Sequence, residues 1–568
     1  MQTTGFAGDL SDSALIQDTH DYFYRLQKLG FAGTVMIARS GHPVVAEGFG
    51  LADREAKIAW SPTVVSCIGS ITKQFTGAAI LALEEQGKLN TGDSLPQFFD
   101  NVPEDKRSIT LHQLMTHTSG IADLDSAGDY DPILRDEFIR RILAQPLASG
   151  PGEHQSYTNA GYSILGAIIE KRTGKSYEQF LRDQFFLPLG MTHTGYILPN
   201  WNLDTLARGY TPDGPWGNLL NQSLAPDGPY WVLRANGGIL SSSYDMLQWA
   251  QALLGGKALS KKSMSRYWAP LVKEDGDDEV FYGYGWAVRP LPNGDTIITH
   301  NGGNGVFFAE MAIVPAKRLV FFYQTNVSAE FGQSEDKLIE VIKRTMLGKA
   351  YPSIPDYADL PADSLKSLQG TYVVDSANSY DVTEKDRHLL ISPRGQSAFA
   401  LLLSRRAHDL GRCAVLSRKM ETIASALVRG DLDPIYDAFY QKVAKAKIEL
   451  AWNQQCKQWN LSFGKLTGFK VIGTALMNER DMTLVRFEFE KGTADRAYVW
   501  DKDSLGHLLG YSARGLDPIV QCIPVTDGNF ESWDPRTGKS WPMRFNNEKG
   551  QMCLQFEVAG KSVQALRR

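Results

Sequence analysis

Strand-like and helical segments follow one another along residues 1–351 in an order that few folds allow. Two strand-like runs, Gly33–Ala38 and Val44–Gly50, come near the beginning, after a helical pattern over Asp12–Leu29. A long, mostly helical region follows, and a second group of strand-like runs comes only after it: Tyr284–Val288, Thr296–Thr299, Phe307–Val314 and Leu319–Gln324. We therefore predict an α/β (α+β) fold in which both groups form one antiparallel sheet flanked by helices.

The composition is that of a globular protein and excludes several classes of partner. At 568 residues the chain is long for one domain, and about two to four are expected. A formal net charge of −5 provides no basic surface for nucleic acid, and no apolar run reaches the length of a membrane span. The first ten residues lack the basic start and apolar stretch of a signal peptide, so an exported protein whose leader is missing and a cytoplasmic protein both fit.

The five cysteines are scattered and show no metal-ligand spacing. Neither a metal nor an organic cofactor is expected, and Cys67 is interpreted as a small buried residue.

Ser70 and Lys73 are three residues apart at the start of an apolar helical pattern. Residues at this spacing share a helical face, where a neutral lysine amine can take the proton of a serine hydroxyl. The same spacing also occurs at Ser334/Lys337 and Ser462/Lys465, so by itself it is weak support for a nucleophile.

Tyr157 and Asn159 lie where a loop after a Pro-Gly turn leads into a second apolar helix. Of the 22 tyrosines, this is the only one followed two positions later by asparagine. A phenol near a lysine can relay protons, and the amide can hold both the lysine and a substrate carbonyl.

His300 follows a strand-like run and is followed by Asn301, Gly302 and Gly303. A histidine at a strand end can donate to a substrate, and the glycines let the backbone approach closely. The Gly303 N–H, next to Gly302, is expected to face the Ser70 N–H as the second half of an oxyanion hole.

The order Ser-x-x-Lys, Tyr-x-Asn, His-x-Gly resembles the serine β-lactamase and penicillin-binding protein superfamily, on the branch of class C β-lactamases, D-aminopeptidases and related esterases. Three further phrases support the resemblance: Ile109–Gly120, Arg234–Ser241 and Tyr282–Trp286. The resemblance implies that Ser70 is acylated, that Lys73 and Tyr157 share the general base and acid work, and that Asn159 positions the substrate.

His300 stands where many members of that superfamily carry Lys-Thr-Gly, a tripeptide absent from this chain. A histidine is mostly neutral near pH 7, so it supplies less positive charge than a lysine for binding a substrate carboxylate. We therefore expect a serine hydrolase of esters or amides, of the esterase, D-aminopeptidase or peptidase type, with weak or no β-lactamase activity. An acyltransferase or transpeptidase-type enzyme, and a catalytically silent binding protein, remain alternatives. The expected partner is a small-molecule or peptide substrate.

The residues after the Pro352–Pro355 linker differ from the first part of the chain in their pattern of strand-like and helical segments. Residues 360–408 and 516–568 resemble two segments of a lipocalin-like β-domain, with Ala398–Leu403 as one of its strands. Residues 409–515 resemble an inserted α+β domain of the nuclear-transport-factor-2-like (NTF2-like) kind, two sequential β-barrels being the rival arrangement. This part is expected to stabilise the chain, to form a homo-oligomer or to cap the cleft of a hydrolase domain spanning residues 1–351.

Overall fold

The computed structural model describes residues 11–568 apart from 125–126, 200, 212–213, 275–276, 292–293, 329–333, 356, 386, 405–409, 440–444, 478–479, 502–505, 513–518, 527, 535–538, 549 and 559. The first ten residues, on which the signal-peptide expectation rests, lie outside this description. The chain folds into two compact units, Met1–Pro352 and Ser353–Arg568.

The first unit is built on an eight-stranded antiparallel sheet that joins the two ends of its sequence. The strand order is β2-β1-β14-β13-β12-β11-β10-β9, and β1 pairs with β14 from Gly33 opposite Thr325 to Arg39 opposite Leu319. The strands are β1 (Gly33–Arg39), β2 (His42–Phe49), β9 (Val272–Glu274), β10 (Asp277–Tyr282), β11 (Ala287–Pro290), β12 (Thr296–Gly303), β13 (Phe308–Val314) and β14 (Leu319–Thr325). Short two-stranded pairs complete the unit: β3 (Leu51–Asp53) with β4 (Ile58–Ala59), β5 (Val65–Cys67) with β8 (Leu240–Ser242), and β6 (Gly209–Thr211) with β7 (Gly214–Gly217).

Helices cover this sheet and form a helical region between its two groups of strands. They are α1 (Asp12–Lys28), α2 (Thr72–Glu85), α3 (Leu111–Met115), α4 (Arg135–Ala144), α5 (Asn159–Thr173), α6 (Tyr177–Leu181), α7 (Ser243–Leu254), α8 (Lys261–Tyr267) and α9 (Ser334–Met346). Helix α2 is buried on every side from Thr72 to Leu83, as its nearly continuous apolar sequence requires. Helix α5 is buried from Ala160 to Glu170 and ends at Gly174, whose φ of +69° is a left-handed C-cap conformation.

The second unit contains a closed eight-stranded antiparallel barrel that is made from two separate segments of sequence. Its strand order is β15-β16-β17-β22-β23-β24-β25-β26, and β15 closes the ring against β26. The strands are β15 (Gly370–Val373), β16 (Ser379–Lys385), β17 (His388–Arg394), β22 (Val520–Thr526), β23 (Asn529–Asp534), β24 (Lys539–Glu548), β25 (Gln551–Val558) and β26 (Lys561–Arg567). A short helix, α10 (Ala362–Ser367), precedes the barrel, whose interior is filled by side chains such as Tyr372, Tyr380 and Phe545.

Between β17 and β22 the chain forms a four-stranded antiparallel sheet with helices against it. The strands, in sheet order, are β18 (Leu466–Met477), β19 (Arg480–Phe489), β20 (Gly492–Trp500) and β21 (Leu508–Ser512). The helices are α11 (Gln396–Leu403), α12 (Leu410–Val428), α13 (Asp433–Ala438) and α14 (Lys445–Phe463). Trp452, Phe487 and Trp500 belong to the core between this sheet and its helices.

The predicted fold class is confirmed, because the large sheet with helices is followed by a barrel and a small α+β part. The domain boundaries themselves stay predictions. The strand predicted at Ala398–Leu403 is wrong: this run of Ala, Phe and Leu does not alternate with polar residues and forms α11. The strand predicted over Tyr284–Val288 begins only at Ala287, because Gly285, at φ +90°, lies in a tight turn. Within the described residues, no helix combines the length and apolarity that crossing a bilayer requires.

Candidate active site

Ser70 lies in a 3₁₀ turn, Gly69–Ile71, that leads directly into α2. Gly69 has φ +51°, and a Cβ atom there would lie 2.5 Å from Gly303 N on the end of β12. A Cβ atom on Gly302 would lie 2.4 Å from Ser70 N. Only glycine at both positions lets the two backbone segments come this close, so the end of β12 lies directly beside the Ser70 amide.

Lys73, on the first turn of α2, is completely buried and reaches Ser70. Its Nζ donates to Ser70 Oγ at 3.0 Å, to Asn159 Oδ1 at 2.7 Å and to the Asn236 carbonyl at 2.8 Å. Burial lowers the pKa of Lys73 to about 7, although the charges of Asp123 and Asp129 raise it in part. A substantial fraction of this lysine is therefore neutral at neutral pH.

The Asn236 carbonyl is held in place by a rigid loop. Ala235 has φ +69°, and its carbonyl accepts from Thr76 Oγ1 at 2.6 Å. The Asn236 side chain donates to Ser163 Oγ at 2.8 Å and to the Val232 carbonyl at 2.7 Å. This strained segment persists because several hydrogen bonds fix it, and it directs one carbonyl at the lysine.

Asp123 organises the loop that carries Tyr157 and Asn159. Its Oδ1 accepts from the Ala160 N–H at 2.7 Å and from Thr158 Oγ1 at 2.8 Å. A carboxylate that accepts from the first N–H groups of a helix stabilises its start. The beginning of α5, and with it Asn159, is therefore positioned by a residue far from either sequence motif.

The Tyr157 ring lies over Lys73 and against His117. Lys73 Nζ is 4.8 Å from the centroid of the Tyr157 ring, and the His117 ring centroid is 4.3 Å away at an interplanar angle of 35°. Although 46% of the Tyr157 surface is exposed, protein surrounds its hydroxyl, and this burial raises the phenol pKa more than a hydrogen bond with Ser70 lowers it. The phenol is therefore protonated at neutral pH.

His117 is buried and itself supports the Tyr157 loop. It has φ +58°, its carbonyl accepts from the Ser156 N–H at 2.8 Å, and its Nδ1 accepts from the Thr158 N–H at 3.2 Å. Burial lowers the pKa of His117 far below its ordinary value, and the Lys73 charge lowers it further. The ring is neutral and serves as a flat support under Tyr157.

His300 is also neutral, and neighbouring groups engage both of its ring nitrogens. Nδ1 lies 2.6 Å from the Asn301 carbonyl and must donate to it, so Nε2, 2.9 Å from the Tyr282 hydroxyl, accepts. Burial, followed by the Lys73 charge, lowers the pKa of His300 to about 3. The ring lies near Tyr157, with the two centroids 6.3 Å apart.

All the residues that the sequence motifs single out lie in this one region: Ser70, Lys73, Tyr157, Asn159, His300, Gly302 and Gly303. Sequence reasoning assigned no role to Asn236, Asp123 or Asp129, although Asn236 lies in a phrase that supported the resemblance. It also missed Tyr282, the hydroxyl partner of His300, in the Tyr-Gly-Tyr-Gly-Trp phrase.

The other reactive-looking residues differ from Ser70 and Lys73 in burial and in ionisation. Ser462 and Lys465, which share the Ser-x-x-Lys spacing, are both exposed. The Cys67 thiol is buried, which raises its pKa to about 11, and none of the five cysteines forms a disulfide. In the part of the chain that the structure describes, no three histidine, cysteine or carboxylate side chains are grouped to hold a metal ion.

Comparison with known proteins agrees with this geometry. The family model described as Beta-lactamase matches residues 23–343. The chain is 32% identical over 323 residues to the putative penicillin-binding protein PbpX of Bacillus subtilis (strain 168), covering 56% of this chain and 77% of that protein. It is 27% identical over 401 residues to penicillin-binding protein 4* of the same organism, covering 66% and 87%.

The fold is also similar to that of a solved structure along nearly the whole chain. The octameric penicillin-binding protein homologue from Pyrococcus abyssi covers 98% of this chain, and this chain covers all of it, with a TM-score of 0.54 and 18% identity. The resemblance inferred from the three motifs is confirmed. The chain belongs to the β-lactamase family of acyl-enzyme-forming serine hydrolases.

Proposed function

We propose that this protein hydrolyses esters or amides through an acyl-enzyme on Ser70, with Lys73 as the base that activates the hydroxyl. The observation that carries the proposal is the 3.0 Å contact between Lys73 Nζ and Ser70 Oγ, made by a lysine whose pKa burial lowers to about 7. Such a lysine accepts a proton at neutral pH, whereas an exposed one does not.

The first half of the reaction forms the acyl-enzyme. Ser70 Oγ attacks the acyl carbon while its proton moves to Lys73 Nζ, and the Ser70 and Gly303 N–H groups stabilise the negative oxygen. The proton then passes to the leaving group through the Tyr157 hydroxyl, which is protonated and hydrogen-bonded to Ser70. In the second half, water attacks the acyl carbon and returns a proton to Ser70 by the same groups.

Asn159 links the lysine to the substrate. Its Oδ1 accepts from Lys73 Nζ at 2.7 Å, and this orients the amide so that its NH₂ group points away from the lysine. That group is suited to hold the substrate's amide carbonyl. Asn159 and the Asn236 carbonyl together keep Lys73 directed at Ser70 throughout the cycle.

The charges around the site favour neutral or cationic substrates over carboxylates. His300 is neutral, and the carboxylates of Asp123 and Asp129 are close enough to raise the Lys73 pKa. A β-lactam brings a carboxylate that this arrangement repels, whereas an aminoacyl ester or amide with a free ammonium group is attracted. We therefore propose weak or no β-lactamase activity.

The test combines covalent labelling with a substrate panel. Intact-protein mass after treatment with a fluorophosphonate should show one adduct on the wild type and none on Ser70→Ala. Ser462→Ala, which alters an exposed serine with the same spacing to a lysine, is the matched control and should be labelled like the wild type.

The panel contains p-nitrophenyl esters, D- and L-aminoacyl p-nitroanilides and nitrocefin, each with and without added alcohols or amines. Hydrolysis of an ester or anilide that far exceeds nitrocefin turnover supports the proposal. Transfer to the added nucleophile faster than hydrolysis would identify an acyltransferase. A wild type that is neither labelled nor active would be a binding protein.

A further inference from the structure

The four-stranded sheet of the second unit carries a buried cation on its helix-covered face. Arg496, on β20, is 3% exposed. Alternate residues of a strand share one face, so Arg496 lies on the same face as Tyr498 and Trp500, whose side chains belong to the core against the helices. Helix α14 places Trp452 and Trp459 over this face.

Aromatic rings surround the Arg496 guanidinium. Its Cζ lies 4.1 Å from the ring centroid of Tyr511, 4.9 Å from that of Trp459 and 5.9 Å from that of Trp452. Rings stacked on a guanidinium stabilise the cation but accept none of its in-plane N–H groups. The edge of the guanidinium, which carries the hydrogen-bond donors, therefore depends on other partners.

Those partners are few. One nitrogen, Nη2, donates to Gln455 Oε1 at 2.6 Å, and the side chain also hydrogen-bonds the Tyr498 hydroxyl, whereas a guanidinium has five N–H donors. No described carboxylate forms an ion pair with Arg496. Arg486 on the neighbouring strand, in contrast, makes two hydrogen bonds with Asp495, at 2.8 and 2.7 Å. A buried cation without a counter-ion is costly, which marks Arg496 as unusual in this sheet.

A second buried polar group lies beside it. The Tyr498 hydroxyl is fully buried, and its oxygen accepts from the neighbouring Arg496, so its own O–H remains available as a donor. Burial raises the pKa of Tyr498 to about 12, and the charge of Arg496 and its hydrogen bond to the phenol lower it in part. The protonated phenol is a second donor for a shared acceptor. Tyr511, whose ring stacks on Arg496, is 40% exposed, so part of this ring borders solvent.

We propose that this place, the Arg496 site, binds a small molecule in which a carboxylate is attached to a flat apolar body. The carboxylate accepts from the N–H groups of Arg496 that donate to no described residue and from the Tyr498 hydroxyl, and the apolar body packs against Trp459 and Tyr511. A carboxylate matches the forked donors of a guanidinium in two parallel hydrogen bonds. The ligand supplies the counter-ion that the described residues do not.

Binding of benzoate and of its neutral isostere benzamide to the full-length protein tests the proposal by titration calorimetry. Benzoate should bind the wild type at least about tenfold more tightly than benzamide, because a charged hydrogen-bonded contact is worth about a factor of ten or more. Arg496→Gln should lose that preference. Arg486→Gln, which alters an arginine that already has a carboxylate partner, should keep it.

Equal affinities of the wild type for benzoate and benzamide would overturn the proposal, and so would no benzoate binding below about 10 mM. Both of these measurements use only the wild-type protein, so they test the proposal even if Arg496→Gln does not fold. Tyr498→Phe removes a single oxygen atom and should weaken benzoate binding but leave benzamide binding unchanged. Benzoate binding that neither variant alters would place the ligand elsewhere and refute the assignment.

Discussion

At the scale of single residues, the site depends on what burial does to Lys73. An amine in water is charged at neutral pH and cannot take a proton from serine. Burial against Asn159 and the Asn236 carbonyl removes the water that would stabilise the charge, and the pKa is lowered to about 7. Asp123 and Asp129 oppose this change, so the lysine titrates in the range where an enzyme operates.

The pH dependence of activity should reflect the pKa that burial and the two carboxylates give to Lys73. Because Lys73 must be neutral to act as a base, kcat/KM should rise with pH through about 7. Asp129→Asn removes a negative charge that stabilises the ammonium form, so the pKa of Lys73 should decrease and the rise should move to lower pH. A pH profile of kcat/KM on a p-nitrophenyl ester measures this.

Asp136→Asn is the control for that profile, since Asp136 is exposed on α4 and pairs with Arg135. It should leave the profile unchanged. A rise that stays in place or moves to higher pH in Asp129→Asn would contradict the assignment of this limb to Lys73.

Tyr157→Phe separates the hydroxyl of this residue from its ring. Loss of the proton relay should lower kcat by about 10²–10⁴. The melting temperature should hardly change, because the ring that lies 4.8 Å from Lys73 remains. Steady-state kinetics and thermal denaturation are the two measurements, with Tyr244→Phe, an exposed tyrosine on α7, as the matched variant. A wild-type kcat in Tyr157→Phe would remove Tyr157 from the mechanism.

At the scale of elements, the proposed oxyanion hole depends on how closely the end of β12 approaches the 3₁₀ turn that carries Ser70. A Cβ atom on Gly302 would lie 2.2 Å from the Ile68 carbonyl oxygen, and real side chains do not tolerate this distance. The Tyr-Gly-Tyr-Gly-Trp turn approaches α2 in a similar way, since a Cβ atom on Gly285 would lie 2.6 Å from the Lys73 carbonyl oxygen. Glycines in these phrases thus fix distances between elements.

Gly302→Ala should force β12 away from the Ser70 amide. With one oxyanion donor misplaced, kcat should decrease by about 10²–10³. Gly510→Ala, at a strand glycine whose Cβ would meet nothing within 4 Å, is the control and should keep wild-type activity. The measurement is kcat on the same p-nitrophenyl ester. A wild-type kcat in Gly302→Ala would show that the two segments can move apart without loss of activity.

At the scale of the whole molecule, the described hydrogen-bond partners of Lys73 belong to Met1–Pro352. A chain that ends at Pro352 should therefore still hydrolyse a small p-nitrophenyl ester at a rate comparable to that of the full chain. Comparison of small and bulky esters on both chains then shows whether the second unit limits substrate size. A truncated chain that folds but is inactive would contradict the assignment of a complete site to the first unit.

The strands of the first unit and the motif residues of its candidate site can be predicted from the sequence alone, because each depends on the spacing of neighbouring residues. Periodicity indicated the strands at both ends of the first unit, and three short motifs indicated Ser70, Lys73, Tyr157, Asn159 and His300, because a helix turn, a loop and a strand end each fit within a few residues. The run at Ala398–Leu403 was misjudged, since an apolar segment without alternation fits a helix and a strand alike.

The charge and the position of these groups depend on contacts between distant parts of the chain. The Asn236 carbonyl that fixes Lys73 lies 163 residues away in sequence, and Asp123 reaches the start of α5 from another loop. The pKa of a side chain depends on the atoms packed around it in space, so no local pattern reveals that Lys73 is partly neutral or that both ring nitrogens of His300 are engaged. Folding brings those distant groups together, and burial among them lowers the pKa of a lysine that would be charged in water.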